Sequence, residues 1–157
     1  MKKILLTLSL VLSFALVGCS SNSEYKDVSV DSIKEAVVSS GLLVEDTLPD
    51  APTLDQFEYF NDIKDDITEG FISRAALILR LEDVIVIKTD NPDSVYTALE
   101  GYKVNMIDMA FGGGYGAPEN ADIAANTILE KKGNYVYLVA AKNATEIEKI
   151  IVDTISN

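Results

Sequence analysis

Histidine and tryptophan are absent from this chain of 157 residues, and cysteine occurs once, at position 19. Those absences exclude Ser-His-Asp and Cys-His catalysis, His-ligated metal sites, internal disulfides and thiolate zinc clusters. Chemistry would have to come from carboxylates, hydroxyls, tyrosines or lysines. A glycosidase needs only two carboxyl groups at a fixed separation, one of them protonated at working pH. The chain has 25 Asp and Glu, so chance pairs are plentiful and none stands out. Asp83, Asp108 and Glu119 lie beside apolar segments, where desolvation raises a carboxyl pKa. Each reads equally as a turn or helix-surface residue, and no residue is singled out as catalytic.

Asp62, Asp65, Asp66 and Glu69 form the densest run of carboxylates, the oxygen ligands that Ca²⁺ prefers. The EF-hand pattern D-x-[DN]-x-[DN]-G is missing, and such runs in acidic proteins are usually a solvated face. The run is therefore a weak Ca²⁺ candidate and the only metal candidate. Gly112, Gly113, Gly114, Tyr115 and Gly116 lie in the segment FGGGYGAP. Neither the P-loop pattern nor the dinucleotide fingerprint is present, since no Lys-Ser or Lys-Thr follows and position 117 is Ala. The glycines read first as suppliers of positive φ in a long connection. The ligand-loop alternative rests on Tyr115, which could stack on a sugar or a partner surface. No cofactor is expected.

The single cysteine reads as an address. Lys2 and Lys3 precede an apolar stretch from residue 4 to residue 17. That stretch is too short to span a bilayer, which takes about 20 residues, and it reads as a signal segment. Leu16-Val17-Gly18-Cys19 then resembles the bacterial lipobox, in which the cysteine receives a diacylglyceryl group and becomes the new N-terminus. Residues 1–18 are expected to be a lipoprotein signal peptide, residues 19–30 a lipidated N-terminus and polar tether, and residues 31–157 one domain. Two acyl chains hold a protein stably where one does not, at about 0.8 kcal/mol per buried methylene. Loss of Lys2 and Lys3 moves the formal charge from −12 to −14. Such a surface repels nucleic acid and anionic headgroups, so the lipid on Cys19 is the expected membrane contact and nucleic acid is excluded as a partner.

The elements follow from periodicity and turn chemistry. Ser32 to Glu35 fits a capping box opening a helix that Gly41 ends. Residues 42–52 hold two prolines and three acids and read as a loop. Thr53 is expected to cap a short helix carrying Leu54, Phe57 and Phe60. Residues 71–79 read as a strand, and Val84-Ile85-Val86-Ile87 reads as the clearest strand of all. Pro92 sits in the first turn of a helix expected to run to about Phe111. Strands are expected over residues 126–130 and 135–140, and a last helix carries Ile147, Ile150, Ile151 and Ile155. VIVIKTDN and VYLVAAKN both precede capped helices, a weak internal echo of hairpin followed by helix. The expected fold is α+β: a two-layer sandwich of about four mostly antiparallel strands with helices on one face.

Several of these segments resemble the lipoproteins of the domain of unknown function 4358 family, found mainly in Firmicutes. The residues that carry the resemblance are Glu82-Asp83-Val84-Ile85-Val86-Ile87-Lys88, a strand with a basic end, and Lys132-Gly133-Asn134-Tyr135-Val136, a turn and strand. Tyr115-Gly116-Ala117-Pro118 matches a Tyr-x-x-Pro-like segment, here preceded by three glycines that the family pattern lacks. The resemblance spans residues 31–155 and implies an extracytoplasmic lipoprotein with no assigned activity. The expected role is a non-catalytic envelope binding or accessory module acting on another protein or a cell-wall ligand. The competing role is a small carboxylate-dependent hydrolase of wall polymers.

Overall fold

The computed structural model describes residues 25–156; the expected signal segment and Cys19 lie outside the described residues. Five strands form one antiparallel sheet in the order β1-β2-β3-β5-β4. They are β1 (Thr47–Pro49), β2 (Ile67–Ala75), β3 (Asp83–Thr89), β4 (Ile128–Lys132) and β5 (Tyr135–Ala140). Four α-helices accompany them: α1 (Val30–Ser39), α2 (Pro92–Tyr102), α3 (Asn120–Ala125) and α4 (Ala144–Ile155). The expected α+β class with an antiparallel sheet is the observed one. Among the described residues no helix is long and apolar enough to cross a membrane.

The sheet has one strand more than expected, and helices cover both of its faces rather than one. The reason lies in β3 and β5, which are apolar at nearly every position instead of alternating. Every β5 residue is buried, and a strand buried on both sides needs cover on both sides. Ile85, Ile87, Val136 and Leu138 face α2 through Val95 and Leu99. Val84, Val86, Tyr135, Tyr137 and Val139 face α1 and α4 through Ile33, Val37, Ile147 and Ile151. The tyrosine face of β5 is thus covered: the Tyr135 hydroxyl donates to the Val28 carbonyl at 2.7 Å and Tyr137 donates to Glu148 at 3.0 Å.

The internal echo is not a spatial repeat. Only a two-fold axis along the sheet normal interchanges antiparallel neighbours such as β3 and β5, and it would keep their following helices on one face. Helices α2 and α4 lie on opposite faces, so the echo reflects how strands turn into helices.

Several boundaries differ from expectation. Ser29, not Ser32, caps α1, its hydroxyl accepting from the Ser32 amide. The expected helix after Thr53 is a series of 3₁₀ turns, Leu54–Gln56 and Glu58–Phe60. The helix after Pro92 is α-helical to Tyr102 and continues as a π-helix over Lys103–Phe111.

The register sets two poles. Asp83 pairs with Ala140 at one end of β3, and Lys88 pairs with Tyr135 near the other. Residues 25–29, read from sequence as tether, are fastened at the second pole. Tyr25 bridges Ser156, the Lys26 amide donates to Ile155 at 2.6 Å, and Lys88 pairs with Asp27 at 2.6 Å. The Asp27 and Glu69 carboxylates hold the Lys88 pKa well above the ordinary lysine range despite some burial. Glu69 accepts from the Val30 amide and from Lys88, and its pKa is lowered by those bonds in that order. The chain therefore enters the domain at the pole of the β4–β5 turn. The β2–β3 loop lies about 20 Å away, at about 3.3 Å per strand residue.

Candidate functional site

At the pole away from the N-terminal entry, a pocket of about 360 Å³ opens between the 3₁₀ turns, the β2–β3 loop and the π-helix. Its polar wall comes from the hairpin. Arg74 and Asp83 are direct cross-strand partners at the end of β2 and β3, so their side chains share one face. Arg74 Nε donates to Asp83 Oδ1 at 2.8 Å and its NH2 donates to the other oxygen at 3.4 Å. The same NH2 donates to the Tyr102 hydroxyl at 2.8 Å, and that hydroxyl donates to Asp83. Tyr102 reaches this point because it is the last residue of α2. The Asp83 side chain is only 3% exposed, whereas Arg74 keeps 34%.

The apolar wall is aromatic. Tandem 3₁₀ turns bring Phe57 and Tyr59 together, and both rings meet Tyr102, at 5.0 and 5.2 Å between centroids. Each such pair adds about 0.5–1.5 kcal/mol beyond area burial. The Arg74 guanidinium lies 5.7 Å from the centre of the Tyr102 ring. Ile78, Met106 and Phe111 complete this wall, and Arg80 stands at the pocket while pairing with Asp46 at 2.5 Å.

Burial is the largest single influence on Arg74 and opposes its charge, but Asp83 and Tyr102 together outweigh it and keep the guanidinium pKa raised. Burial, then the Asp83 charge, pushes the Tyr102 phenol far above the ordinary tyrosine value, with Arg74 offsetting only part. The Tyr137 phenol is pushed the same way by burial and by Glu148. Stability tied to these two phenols is complete below the ordinary value of 10.0 and is lost as pH rises through the higher folded values. Neither is expected to add phenolate absorbance near pH 10 while the protein is folded. Tyr102→Phe and Tyr137→Phe should leave the native absorbance titration unchanged; a drop of one tyrosinate in either variant would contradict this.

Asp83 has both oxygens engaged, one by Arg74 Nε and the other by NH2 and the Tyr102 hydroxyl. These bonds fix the carboxylate beside Arg74 and make it the anchor of that guanidinium. Asp108 is exposed and pairs with Lys103, while Glu119 is exposed at the start of α3. A second depression of about 520 Å³ between α3 and the start of α4 is edged by Glu119, Asp122, Lys142 and Glu146 and has no aromatic wall.

The Gly-rich segment lies at the same pole. Gly114 and Gly116 take positive φ, +94° and +82°. The segment clasps the β2–β3 loop: the Ala117 amide donates to Leu79 O at 2.9 Å. The wholly buried Asn120 donates to Leu79 O at 2.8 Å and Tyr115 O at 2.9 Å, and accepts from the Leu81 amide at 2.9 Å. Tyr115 stays 46% exposed with its ring 5.7 Å from Phe111. Gly112 and Gly113 close the π-helix, where the Gly112 amide bonds Ile107 O.

The carboxylate run lies at the opposite pole. The Asp66 carbonyl accepts from Thr89, its side chain accepts from Asn91, and Glu69 is committed to Lys88 and Val30. Asp62 and Asp65 are exposed. Among the described residues no three Asp, Glu, His or Cys side chains gather as metal ligands. Sequence reading singled out neither arginine, nor Asn120, nor the pairing of Tyr102 with Asp83. The available signal was Arg74 inside the apolar run of residues 71–79 and Asp83 at the start of the apolar run of residues 84–87.

Fold and pocket together define a single α+β domain with an antiparallel sheet and an aromatic–arginine pocket at one end. The family model described as domain of unknown function (DUF4358) matches residues 45–141, and the chain belongs to that family. The matched span runs from just before β1 to just past β5 and holds every residue of the pocket. No match was found among curated proteins or among solved structures.

Proposed function

We propose that this chain is a lipid-anchored extracytoplasmic lipoprotein whose domain is a non-catalytic binding or accessory module for an envelope protein or cell-wall ligand. The observation that carries the reading is the apolar surface at the pole away from the chain's entry. Leu77, Ile78 and Leu79 are 57%, 78% and 55% exposed, beside exposed Met106 and Tyr115. Contiguous exposed apolar side chains of this kind mark interaction surfaces in soluble domains. Leu16-Val17-Gly18-Cys19 supports the anchor, and five residues separate Cys19 from Tyr25, six steps of up to about 3.5 Å each. A lipid on Cys19 would set the Tyr25 pole toward the membrane and the apolar pole outward. The anionic chain would resist lying flat on an anionic surface.

The test has two arms in the native host. Cys19→Ala should abolish lipid labelling and membrane retention; efficient cleavage with unchanged retention would defeat the anchor. A photocrosslinking residue at Ile78 should give a discrete adduct, whereas the same residue at exposed Lys149 on α4 should not. Equal labelling from both positions would defeat the binding surface.

A further inference from the structure

We infer that the pocket between Arg74, Arg80 and the aromatic wall binds a monocarboxylate whose apolar body is the size of one aromatic or branched side chain. This rests on the binding-module reading and assigns that module a ligand class. The chain has only two arginines against 11 lysines, and both stand at this one pocket. Arginine differs from lysine in its planar fork, which matches the two oxygens of a carboxylate. Arg74, which lines the pocket, is held rigid through Nε and NH2 by Asp83 and Tyr102, and its third guanidinium nitrogen has no protein partner among the described residues. Arg80 reaches Asp46 through one nitrogen only. Its other guanidinium nitrogens have no protein partner among the described residues.

The rest of the pocket specifies the ligand's other half. Phe57, Met106, Phe111 and Ile78 offer an apolar surface, and a volume of about 360 Å³ is at the small end for ligand sites. That suits a body the size of one aromatic or branched side chain. The charge balance narrows the head group. Asp83 and Asp46 offset the two guanidiniums, and the chain is strongly anionic overall. A phosphate dianion would meet more repulsion from that field than a monoanion does. A free aryl or alkyl acid and the C-terminal residue of a peptide both present this chemistry.

Methyl-labelled methionine reads the pocket directly. Of three methionines, Met106 lines it and Met109 does not, and Met1 belongs to the signal segment. The full lipidated chain in phosphatidylcholine nanodiscs would be titrated with 3-phenylpropionate, 3-phenylpropanol, 2-phenylethylamine and acetyl-Gly-Phe. A saturable shift at Met106 exceeding that at Met109 is expected with the acid, with the alcohol and amine at least about tenfold weaker. Arg80→Gln should weaken the acid by about tenfold, and Arg80→Lys should restore part of it. Tighter binding of acetyl-Gly-Phe than of the free acid would identify a peptide terminus as the source; the reverse order would identify a small acid. The proposal is overturned if no acid saturates by about 10 mM, if the alcohol equals the acid, or if Arg80→Gln changes nothing. That failure would leave the Cys19 and Ile78 experiments intact, because neither depends on Arg80.

Discussion

Arg74→Met is expected to lower the unfolding free energy by about 3 kcal/mol, the lower end of the range for breaking a buried ion pair. Melting should fall by roughly 10 °C in a domain of this size. The cause is what the substitution leaves behind. The Asp83 side chain is 3% exposed and would keep its carboxylate with one phenol as its remaining partner. Arg74 itself is 34% exposed, so water reaches part of the gap, which is why the lower end applies. Replacing the whole cluster should behave differently. Arg74→Met, Asp83→Leu and Tyr102→Phe together should recover most of the loss, because well-packed apolar groups often match a buried ion pair. Urea unfolding of the single and triple variants measures both. A loss under about 1 kcal/mol for Arg74→Met would class the pair with ordinary surface bridges.

This cluster was hidden in the sequence for a definite reason. Arg74 and Asp83 lie nine residues apart in a stretch whose apolar run, residues 71–79, reads as continuous strand. The strand stops at Ala75, where the Ala75 amide donates to Glu82 O and the next amide turns away to Asp46 O. Leu77, Ile78 and Leu79 then leave the sheet and become surface. Apolar composition cannot separate a buried strand from an exposed binding patch; only the register does. The same holds for β1. Prolines and acids in residues 42–52 read as loop, yet Thr47–Pro49 forms the edge strand, where a proline's missing N–H costs least. Buried Glu82 secures that edge by accepting from the Val44 amide and the Thr47 hydroxyl, both at 2.7 Å.

What could be read was local. VIVIK and YVYLVA announce strands through β-branched and aromatic runs, and Ile147, Ile151 and Ile155 announce the buried face of α4. The same strands also carried the clue to the second helical layer, since neither alternates polar with apolar. Aromatic residues at 57, 59 and 102 were visible singly. Their convergence was not, because it needs two 3₁₀ turns and the end of α2 to arrive at one point. The reading of the glycines as suppliers of positive φ matches Gly114 and Gly116 but not Gly112 and Gly113, which stay at negative φ as the π-helix closes. Nothing in the spacing told that one of them also touches the β2–β3 loop.

That difference yields a test of what shapes the pocket rim. Gly114 and Gly116 both hold positive φ, but a Cβ on Gly114 meets open space, while one on Gly116 would lie 2.1 Å from Leu79 O and 2.7 Å from Asn120 Nδ2. Gly114→Ala should therefore show only the left-handed strain, about 1–2 kcal/mol. Gly116→Ala must also push apart two backbones that the Ala117 amide and Asn120 hold together, and should lose at least about 3 kcal/mol. Asn120→Asp should act on the same clasp from the other side. It removes the donor shared by the Leu79 and Tyr115 carbonyls and faces them with an acceptor, with a loss of about 2–3 kcal/mol. Amide exchange locates the damage: Leu81, whose N–H donates to Asn120 Oδ1, should lose protection in both severe variants and keep it in Gly114→Ala. If Gly114→Ala and Gly116→Ala fall equally, the clasp contributes nothing and the Ile78 surface is held by the β2–β3 loop alone. If Gly116→Ala falls further, the Gly-rich segment is what presents Ile78 and Leu79 to a partner, and ligands of the pocket should bind more weakly in that variant before the domain unfolds.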